Sequence, residues 1–311
     1  MMKRLFSLFF WFLVPLMAIC QEQDYASLMK RGLAALERDS LVLAEQCFLD
    51  AIAAKPTERT NAVLYQYIGK IRTRQRHLDE ALDAYNTGLS LEPSSQEILM
   101  DRASLYIQRN DLNRALNDLS DILTLNPDHI EALFFRAYIY SEQHLNAKAR
   151  LDYELLLTLQ PSHRQARLGL ALLCDKDRRP REAMEHLDVL LRYFPDDAAA
   201  YVVRGGLYQK RRQYEEALKD MNRAIELEPE NADFYVSRAL LFKTTHNNNF
   251  ARNDFRRAVE LGASPDECAA LMLDQNEKKP IKQSSKKSVK PTTKQSDRQK
   301  PSEPVEYRYG F

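Results

Sequence analysis

The sequence predicts an all-α protein in which helical hairpins stack one after another along the chain. A regular period is the first observation, because prolines recur every 34 residues at Pro93, Pro127, Pro161, Pro195 and Pro229. A fixed period of this length is typical of repeat proteins. Composition is the second observation: glycine is scarce, 44% of residues are hydrophobic and 29% are charged, as expected for a folded, helix-rich chain.

Residues 1–20 carry the pattern of an export signal. Two basic residues precede an almost wholly apolar run over 5–19, which is shorter than the roughly 17–25 residues of a membrane-spanning helix. Ala18 and Cys20 supply the small residues that precede a cleavage site. The alternatives are a lipoprotein acylated at Cys20, although Ile19 is bulky for that motif, and an uncleaved membrane anchor. Each route predicts an exported protein, which we place in the periplasm.

Residues 25–263 divide into seven repeats when each proline is placed at position 32. In the seventh repeat Ala263 takes the place of the proline, and residues 59–61 form a short insertion. The repeats span 25–58, 62–95, 96–129, 130–163, 164–197, 198–231 and 232–265.

Three columns of the aligned repeats indicate how the two helices of each hairpin pack. Position 8 is always Gly or Ala, so the helices can approach closely there. Position 20 is always alanine: Ala44, Ala81, Ala115, Ala149, Ala183, Ala217 and Ala251. Position 24 is large and apolar and would fill the space between helices: Phe48, Tyr85, Leu119, Tyr153, Leu187, Met221 and Phe255.

These columns and the period resemble the tetratricopeptide repeat family, in which helical hairpins stack into a right-handed superhelix. The resemblance covers 25–265, about three quarters of the chain. It implies a right-handed α-solenoid of about seven hairpins and a role in binding proteins. A single hairpin cannot bury its apolar face alone, so the stack is the folding unit.

The last repeat is followed by a predicted capping helix and then a basic tail. Ser264 at the N-cap and Pro265 at the first helical position start a short helix over 265–276 that would cover the end of the stack. Residues 277–311 hold ten Lys/Arg against four Asp/Glu and few aliphatic residues, so we predict a disordered tail. With two basic residues in the export signal and +1 overall, residues 21–276 carry a net charge of −7.

The sequence contains no catalytic motif, and we predict neither an enzyme nor a bound cofactor. There is no phosphate-binding loop and no nucleophile elbow. His129 and His163 share position 34, which predicts turn residues too far apart to hold one metal ion. Cys47, Cys174 and Cys268 are widely spaced among apolar neighbours, which predicts small core residues.

An acidic residue recurs at position 23 inside the apolar face of the second helix. It is Asp118, Asp152, Asp220 and Asp254 in repeats three, four, six and seven. The same four repeats carry arginine at position 7: Arg102, Arg136, Arg204 and Arg238. This coincidence predicts an ion pair between the two helices of one hairpin that sets helix register more than it adds stability.

The resemblance implies that positions 5 and 9 of the first helices line a concave binding surface. Most side chains there are apolar, which predicts an apolar groove that binds an extended or helical segment of a partner protein. The alternative is that the same side chains are simply core. The residues assigned to the groove are Met29, Gln66, Met100, Phe134, Tyr138, Leu168, Leu172, Val202 and Val236.

The tail supports more than one interpretation. It is either a solvated linker or a basic anchor to an anionic polymer or membrane surface, and nucleic acid is not an expected partner of an exported protein. Tyr307, Tyr309 and Phe311 alternate, so they would share one face of an extended strand and could dock on a partner or in the groove.

The sequence as a whole predicts a non-enzymatic scaffold or adaptor of the bacterial cell envelope. Its partner would be a protein or peptide bound along the apolar groove. The alternative is a structural subunit of an envelope-associated machine that is anchored through the basic tail.

Overall fold

The computed structural model describes residues 24–272, and within this range all regular structure is helical. Helix α1 covers 24–37. The others are α2 (Leu41–Ala54), α3 (Asn61–Arg74), α4 (Leu78–Leu91), α5 (Gln96–Gln108), α6 (Leu112–Leu125), α7 (Ile130–Glu142), α8 (Asn146–Leu159), α9 (Arg164–Lys176), α10 (Pro180–Tyr193), α11 (Ala198–Lys210), α12 (Tyr214–Leu227), α13 (Ala232–Thr244), α14 (Asn248–Glu260) and α15 (Pro265–Met272).

Chain order is also the order of packing. Each odd-numbered helix from α3 to α13 packs most closely against the helix that follows it, and each second helix packs next against the first helix of the following repeat. Helix α15 lies against α14 and α13 at the end of the stack. This arrangement is an all-α solenoid, in which each repeat is stabilised mainly by its immediate neighbours.

The packing roles predicted for positions 20 and 24 are confirmed. All seven alanines at position 20 are completely buried, and the large residues at position 24 are at most 3% exposed. Gly69 shows why position 8 is small, because an added Cβ there would overlap the ring of Tyr85. The same packing positions therefore supply the core in every described repeat, and the buried apolar residues form four clusters along the stack.

Helix ends follow the local sequence. Helices α4, α6, α8, α10 and α12 each end two residues before a proline, which cannot extend the helix. The predicted N-cap at Ser264 is confirmed, since its Oγ accepts a hydrogen bond from the N–H of Glu267 at 3.3 Å.

Several predictions fall outside the described residues. These are the export signal over 1–20, the end of the predicted helix over 265–276, and the tail over 277–311 with Tyr307, Tyr309 and Phe311. Between residues 24 and 272, no helix has both the length and the apolar character required to cross a membrane.

Candidate interaction surface

The predicted ion pairs form in all four repeats that carry the two residues. Each arginine at position 7 donates two parallel hydrogen bonds, from Nε and Nη2, to the aspartate at position 23 of the same repeat, at 2.7–2.9 Å. The aspartates are buried, at 3–7% exposure. Paired hydrogen bonds of this kind fix the guanidinium plane, so each contact sets the relative position of two helices. The predicted contact within each hairpin is confirmed, and its larger effect on register than on stability stays a prediction.

The arginines also reach beyond their own hairpins. Through Nη1, Arg102 donates to Asn86, Arg204 to Asp188 and Arg238 to Asn222, at 2.7–2.9 Å. The acceptor always lies at position 25 of the preceding repeat. In these three repeats the arginine therefore joins both helices of one repeat to the second helix of the repeat before it.

An aromatic ring completes each of these contacts. Position 11 is Tyr106, Tyr140, Tyr208 or Phe242 in the four repeats, and the guanidinium lies 5.9–6.0 Å from the ring centre. A cation over a ring face is attracted by the ring quadrupole. In repeat six the hydrogen bonds with Asp220 raise the pKa of Arg204, so the guanidinium remains charged.

Repeats two and five lack this contact and carry a different one. In repeat two, Arg72 at position 11 pairs with Glu45 of repeat one at 2.8 Å. In repeat five, Arg150 of repeat four reaches across to Asp177 at 3.1 Å and approaches the Sγ of the buried Cys174 at 3.5 Å. Both contacts involve position 21 of the preceding repeat, so the ion pair lies between hairpins rather than within one.

Position 34 supplies helix N-caps, including the two histidines that were predicted to lie in turns. His129 and His163 accept hydrogen bonds through Nδ1 from the N–H groups of Ala132 and Ala166, at 3.2 and 3.1 Å. Burial lowers the pKa of His163, whose ring also packs against Phe134. Among residues 24–272 no group of histidine, cysteine and carboxylate side chains is arranged to bind a metal ion.

The residues assigned to the groove differ in how much surface they offer. Five are buried in the stack, at 3–9% exposure: Gln66, Met100, Phe134, Leu168 and Val202. Four are partly exposed: Met29, Tyr138, Leu172 and Val236. Position 5 thus contributes mainly to the core in the central repeats, whereas position 9 reaches the surface. The role of these residues in partner binding stays a prediction.

Position 9 forms a row along the first helices, which we call the first-helix row. Its members are Leu33, Lys70, Ser104, Tyr138, Leu172, Gly206 and Leu240, and each is at least partly exposed. At Gly206 an added Cβ would meet no atom within 4 Å, so the row has an open gap between Leu172 and Leu240. The sequence analysis did not predict this gap. The signal for it was a second glycine, Gly206, directly after Gly205, which is the glycine needed for close packing.

Charged side chains beside the first-helix row are paired with one another. Asp101 accepts a hydrogen bond from Gln66 at 2.5 Å and lies 3.2 Å from the Nζ of Lys70. Asp175 forms an ion pair with Lys210 across two neighbouring repeats. Because these charges neutralise one another in pairs, the centre of the first-helix row is apolar and close to neutral.

Comparison with known proteins agrees with this architecture. Models described as tetratricopeptide repeat match residues 68–129, 100–161 and 198–231. A tetratricopeptide repeat protein from Parabacteroides merdae is 28% identical in sequence, with a TM-score of 0.66 over 80% of this chain and 98% of its own. The chain belongs to the tetratricopeptide repeat family.

More distant solved structures share the fold. The pilF protein of Pseudomonas aeruginosa is 16% identical, with a TM-score of 0.56 over 67% of this chain and 94% of its own. MamA is 22% identical, with a TM-score of 0.50 over 55% of this chain and 94% of its own. No curated protein matches the chain.

Membership of the tetratricopeptide repeat family assigns a general role. This fold is a scaffold for protein–protein interaction, and the matching models describe repeats rather than a catalytic domain. Cys47, Cys174 and Cys268 are buried free thiols, and burial raises the pKa of both Cys174 and Cys268. A thiol that is buried and protonated is a poor nucleophile.

Proposed function

We propose that this tetratricopeptide repeat protein is an exported scaffold of the bacterial cell envelope that holds one segment of a partner protein against the first-helix row. The scaffold acts by presenting a surface, and several weak contacts along the row add up on one partner. The gap at Gly206 is the observation that supports this proposal most directly.

Gly206 is unfavourable for the fold when considered alone. Glycine inside a helix is destabilising by roughly 0.5–1 kcal/mol relative to alanine. Gly205 beside it has a packing reason, because an added Cβ would lie 3.2 Å from the carbonyl oxygen of Ala217. Gly206 has none, since the space around it is open. A bound partner that needs close approach to the α11 backbone supplies the missing reason.

The shape and chemistry of the gap suit an apolar side chain. Leu172 and Leu240 are the members of the row on either side of Gly206, and both are partly exposed apolar residues. Tyr138 extends the row by one further repeat. A helical or extended segment with one large apolar residue would insert that residue at Gly206 and lay its neighbours on the leucines.

Site-specific photo-crosslinking tests this surface in the native envelope. A photoreactive residue at Tyr138 or Leu172 should capture the same discrete partner. Leu151 provides the matched control, because it is 66% exposed on the second helix of repeat four. Capture of that partner equally well from Leu151 would contradict the proposal.

Gly206→Leu separates binding from folding. Leucine is a far better helix former than glycine, so the variant should unfold at the same or a higher denaturant concentration. Partner capture from Tyr138 and Leu172 should nevertheless fall at least tenfold, because the new side chain fills the gap. Unchanged capture by a folded Gly206→Leu variant would exclude binding at this position.

Export is proposed from the pattern in residues 1–20. Trp11 is the only tryptophan in the chain, so protein cleaved after Cys20 has no tryptophan emission. Intact-mass measurement of the purified protein distinguishes cleavage after Cys20 from acylation of Cys20. Tryptophan emission from the envelope-derived protein would contradict both routes.

A further inference from the structure

The two edges of the solenoid have opposite charge. Turns within hairpins lie along one edge, and turns between hairpins lie along the other, because hairpins stack in chain order. We call the first the basic edge: 38–40, 75–77, 109–111, 143–145, 177–179, 211–213 and 245–247. We call the second the acidic edge: 55–60, 92–95, 126–129, 160–163, 194–197, 228–231 and 261–264.

The difference in charge between the edges is large for such short turns. The basic edge contains seven Lys/Arg and three Asp/Glu, together with three histidines. The acidic edge contains seven Asp/Glu and two Lys/Arg. The net charges of the two edges, histidines counted as neutral, are therefore +4 and −5.

Position 15 supplies three of the seven basic residues of this edge, and we call its seven residues the ladder. All seven residues there have left-handed backbone, with φ between 57° and 67°, and all are exposed: Asp39, Arg76, Asn110, His144, Arg178, Arg212 and His246. Left-handed backbone costs non-glycine residues roughly 1–2 kcal/mol, and glycine or asparagine suits it better. The fold itself thus gives no reason for arginine at this position.

The arginines of the ladder are also available to a partner. In the described part of the chain, Arg76, Arg178 and Arg212 take part in no ion pair, unlike the partly exposed arginines at position 7. On the acidic edge, Asp128 and Glu230 likewise have no ion pair within residues 24–272. Strain combined with unpaired charge at one repeated position is characteristic of a binding surface.

We propose that the basic edge binds the acidic edge of a second copy of this chain, so that solenoids associate side by side. A copy displaced sideways without rotation brings its acidic edge against the basic edge of the first copy. Its turns also recur with the same spacing, one per repeat. Opposite net charges then face each other in repeats two, five and six, where 75–77, 177–179 and 211–213 meet 92–95, 194–197 and 228–231.

Charge balance favours a second copy over a free polyanion. Residues 21–276 have a net charge of −7, so a polyanion on the basic edge is repelled by the rest of the body. A second copy carries the same net charge, but its acidic turns face the basic edge and its remaining charge lies further away. The contact is heterologous and does not close, so association continues beyond the dimer.

The expected association is weak and depends on salt. An exposed ion pair contributes about 0.2–1 kcal/mol, and several must act together. Sedimentation velocity of the full chain at about 100 μM should show association at about 0.05 M salt. It should be lost at about 0.5 M salt, where charges further apart than a few ångströms are screened.

Charge reversal gives the decisive comparison. Arg178→Glu with Arg212→Glu should weaken self-association at least tenfold, as should Asp128→Lys with Glu230→Lys. Mixing the two variants should restore association between them, because the first keeps its acidic edge at −5 and the second keeps its basic edge at +4. Lys219→Glu with Arg256→Glu is the matched control, since both residues are exposed on second helices away from the edges.

Three results would overturn the proposal. The first is a monomeric wild-type protein at low salt, including one that binds heparin while staying monomeric. The second is association that survives both reversals, or a mixture that fails to restore it while circular dichroism shows both variants folded. The third is association that disappears on deletion of 277–311 but not on reversal of the ladder.

Discussion

Repeats five and six are neighbours with the same helical hairpin, but their polar contacts lie in different places. In repeat six, Arg204 and Asp220 join the two helices of one hairpin, and Arg204 also reaches Asp188 of repeat five. In repeat five the same two positions are Leu170 and His186. Its ion pair comes instead from Arg150 of repeat four.

The difference shows that polar contacts can lie at different positions in two repeats while the architecture stays the same. In repeat six the contact stabilises the hairpin itself as well as the boundary with repeat five. In repeat five Arg150 stabilises the boundary with repeat four, and Arg164 pairs with Asp197 in the turn before α11. Neither contact joins α9 to α10. We therefore expect the hairpin of repeat five to open more readily than its neighbours, because repeat stability combines hairpin and boundary contributions.

Breaking the pair in repeat six should have the largest effect. Arg204→Leu leaves the carboxylate of Asp220 only 4% exposed and without its partner. Loss of one member of a buried pair typically costs about 3–5 kcal/mol, and we expect the lower end because Arg204 keeps some solvent contact. Urea unfolding measured by circular dichroism gives the change in the free energy of unfolding.

The double variant Arg204→Leu with Asp220→His is the control that copies repeat five. It removes the unpaired carboxylate, so it should recover most of the stability lost in the single variant. A double variant as unstable as Arg204→Leu would show that the pair stabilises the repeat directly rather than setting register.

This pair also shows how far sequence reasoning reaches. The co-occurrence of arginine at position 7 and aspartate at position 23 was sufficient to predict the contact within the hairpin. The third partner at position 25 was missed because it belongs to the preceding repeat. Its residue type also varies between amide and carboxylate, as Asn86, Asp188 and Asn222 show. The sequence did not decide whether Phe134 and Met100 are buried, because their burial depends on how closely adjacent first helices stack.

Repeat two lacks the ion pair as well and should depend more on apolar packing. In Gly69→Ala the new Cβ would overlap the ring of Tyr85, which is itself only 2% exposed and has little room to move. Overpacking of this kind costs about 1–3 kcal/mol. Gly206→Ala is the matched control, and it should be neutral or stabilising in the same urea titration. Equal effects of the two changes would contradict the packing assigned to Gly69.

Acid should weaken repeat five more than repeat six. Burial, together with the positive charges of Arg167 and Arg150, lowers the pKa of His186. The unfolded chain therefore takes up the proton first, near pH 6.5. Stability that is present above this pH is lost as the pH falls towards the lower pKa of the folded state. The loss of stability on acidification should be smaller than the loss in the preceding variants, because His186 is only partly buried.

Hydrogen exchange of α9 and α10 measures this local stability. Between pH 7 and pH 5, protection should fall more in these helices than in α11 and α12. His186→Asn should reduce the difference when wild type and variant are compared at the same pH. An unchanged pH response in the variant would assign the effect to His163, whose pKa burial also lowers.

The smallest effect is expected where repeats five and six are alike. Arg178 and Arg212 occupy the same turn position with φ of 58° and 60°, and asparagine tolerates this backbone better than arginine. Arg178→Asn and Arg212→Asn should each raise the free energy of unfolding by about 0.5–1 kcal/mol. Equal gains would show that the two repeats differ in their helix contacts and not in their turns. A gain confined to one of them, seen in urea unfolding at high salt where the edges do not associate, would locate part of the difference in the turn itself.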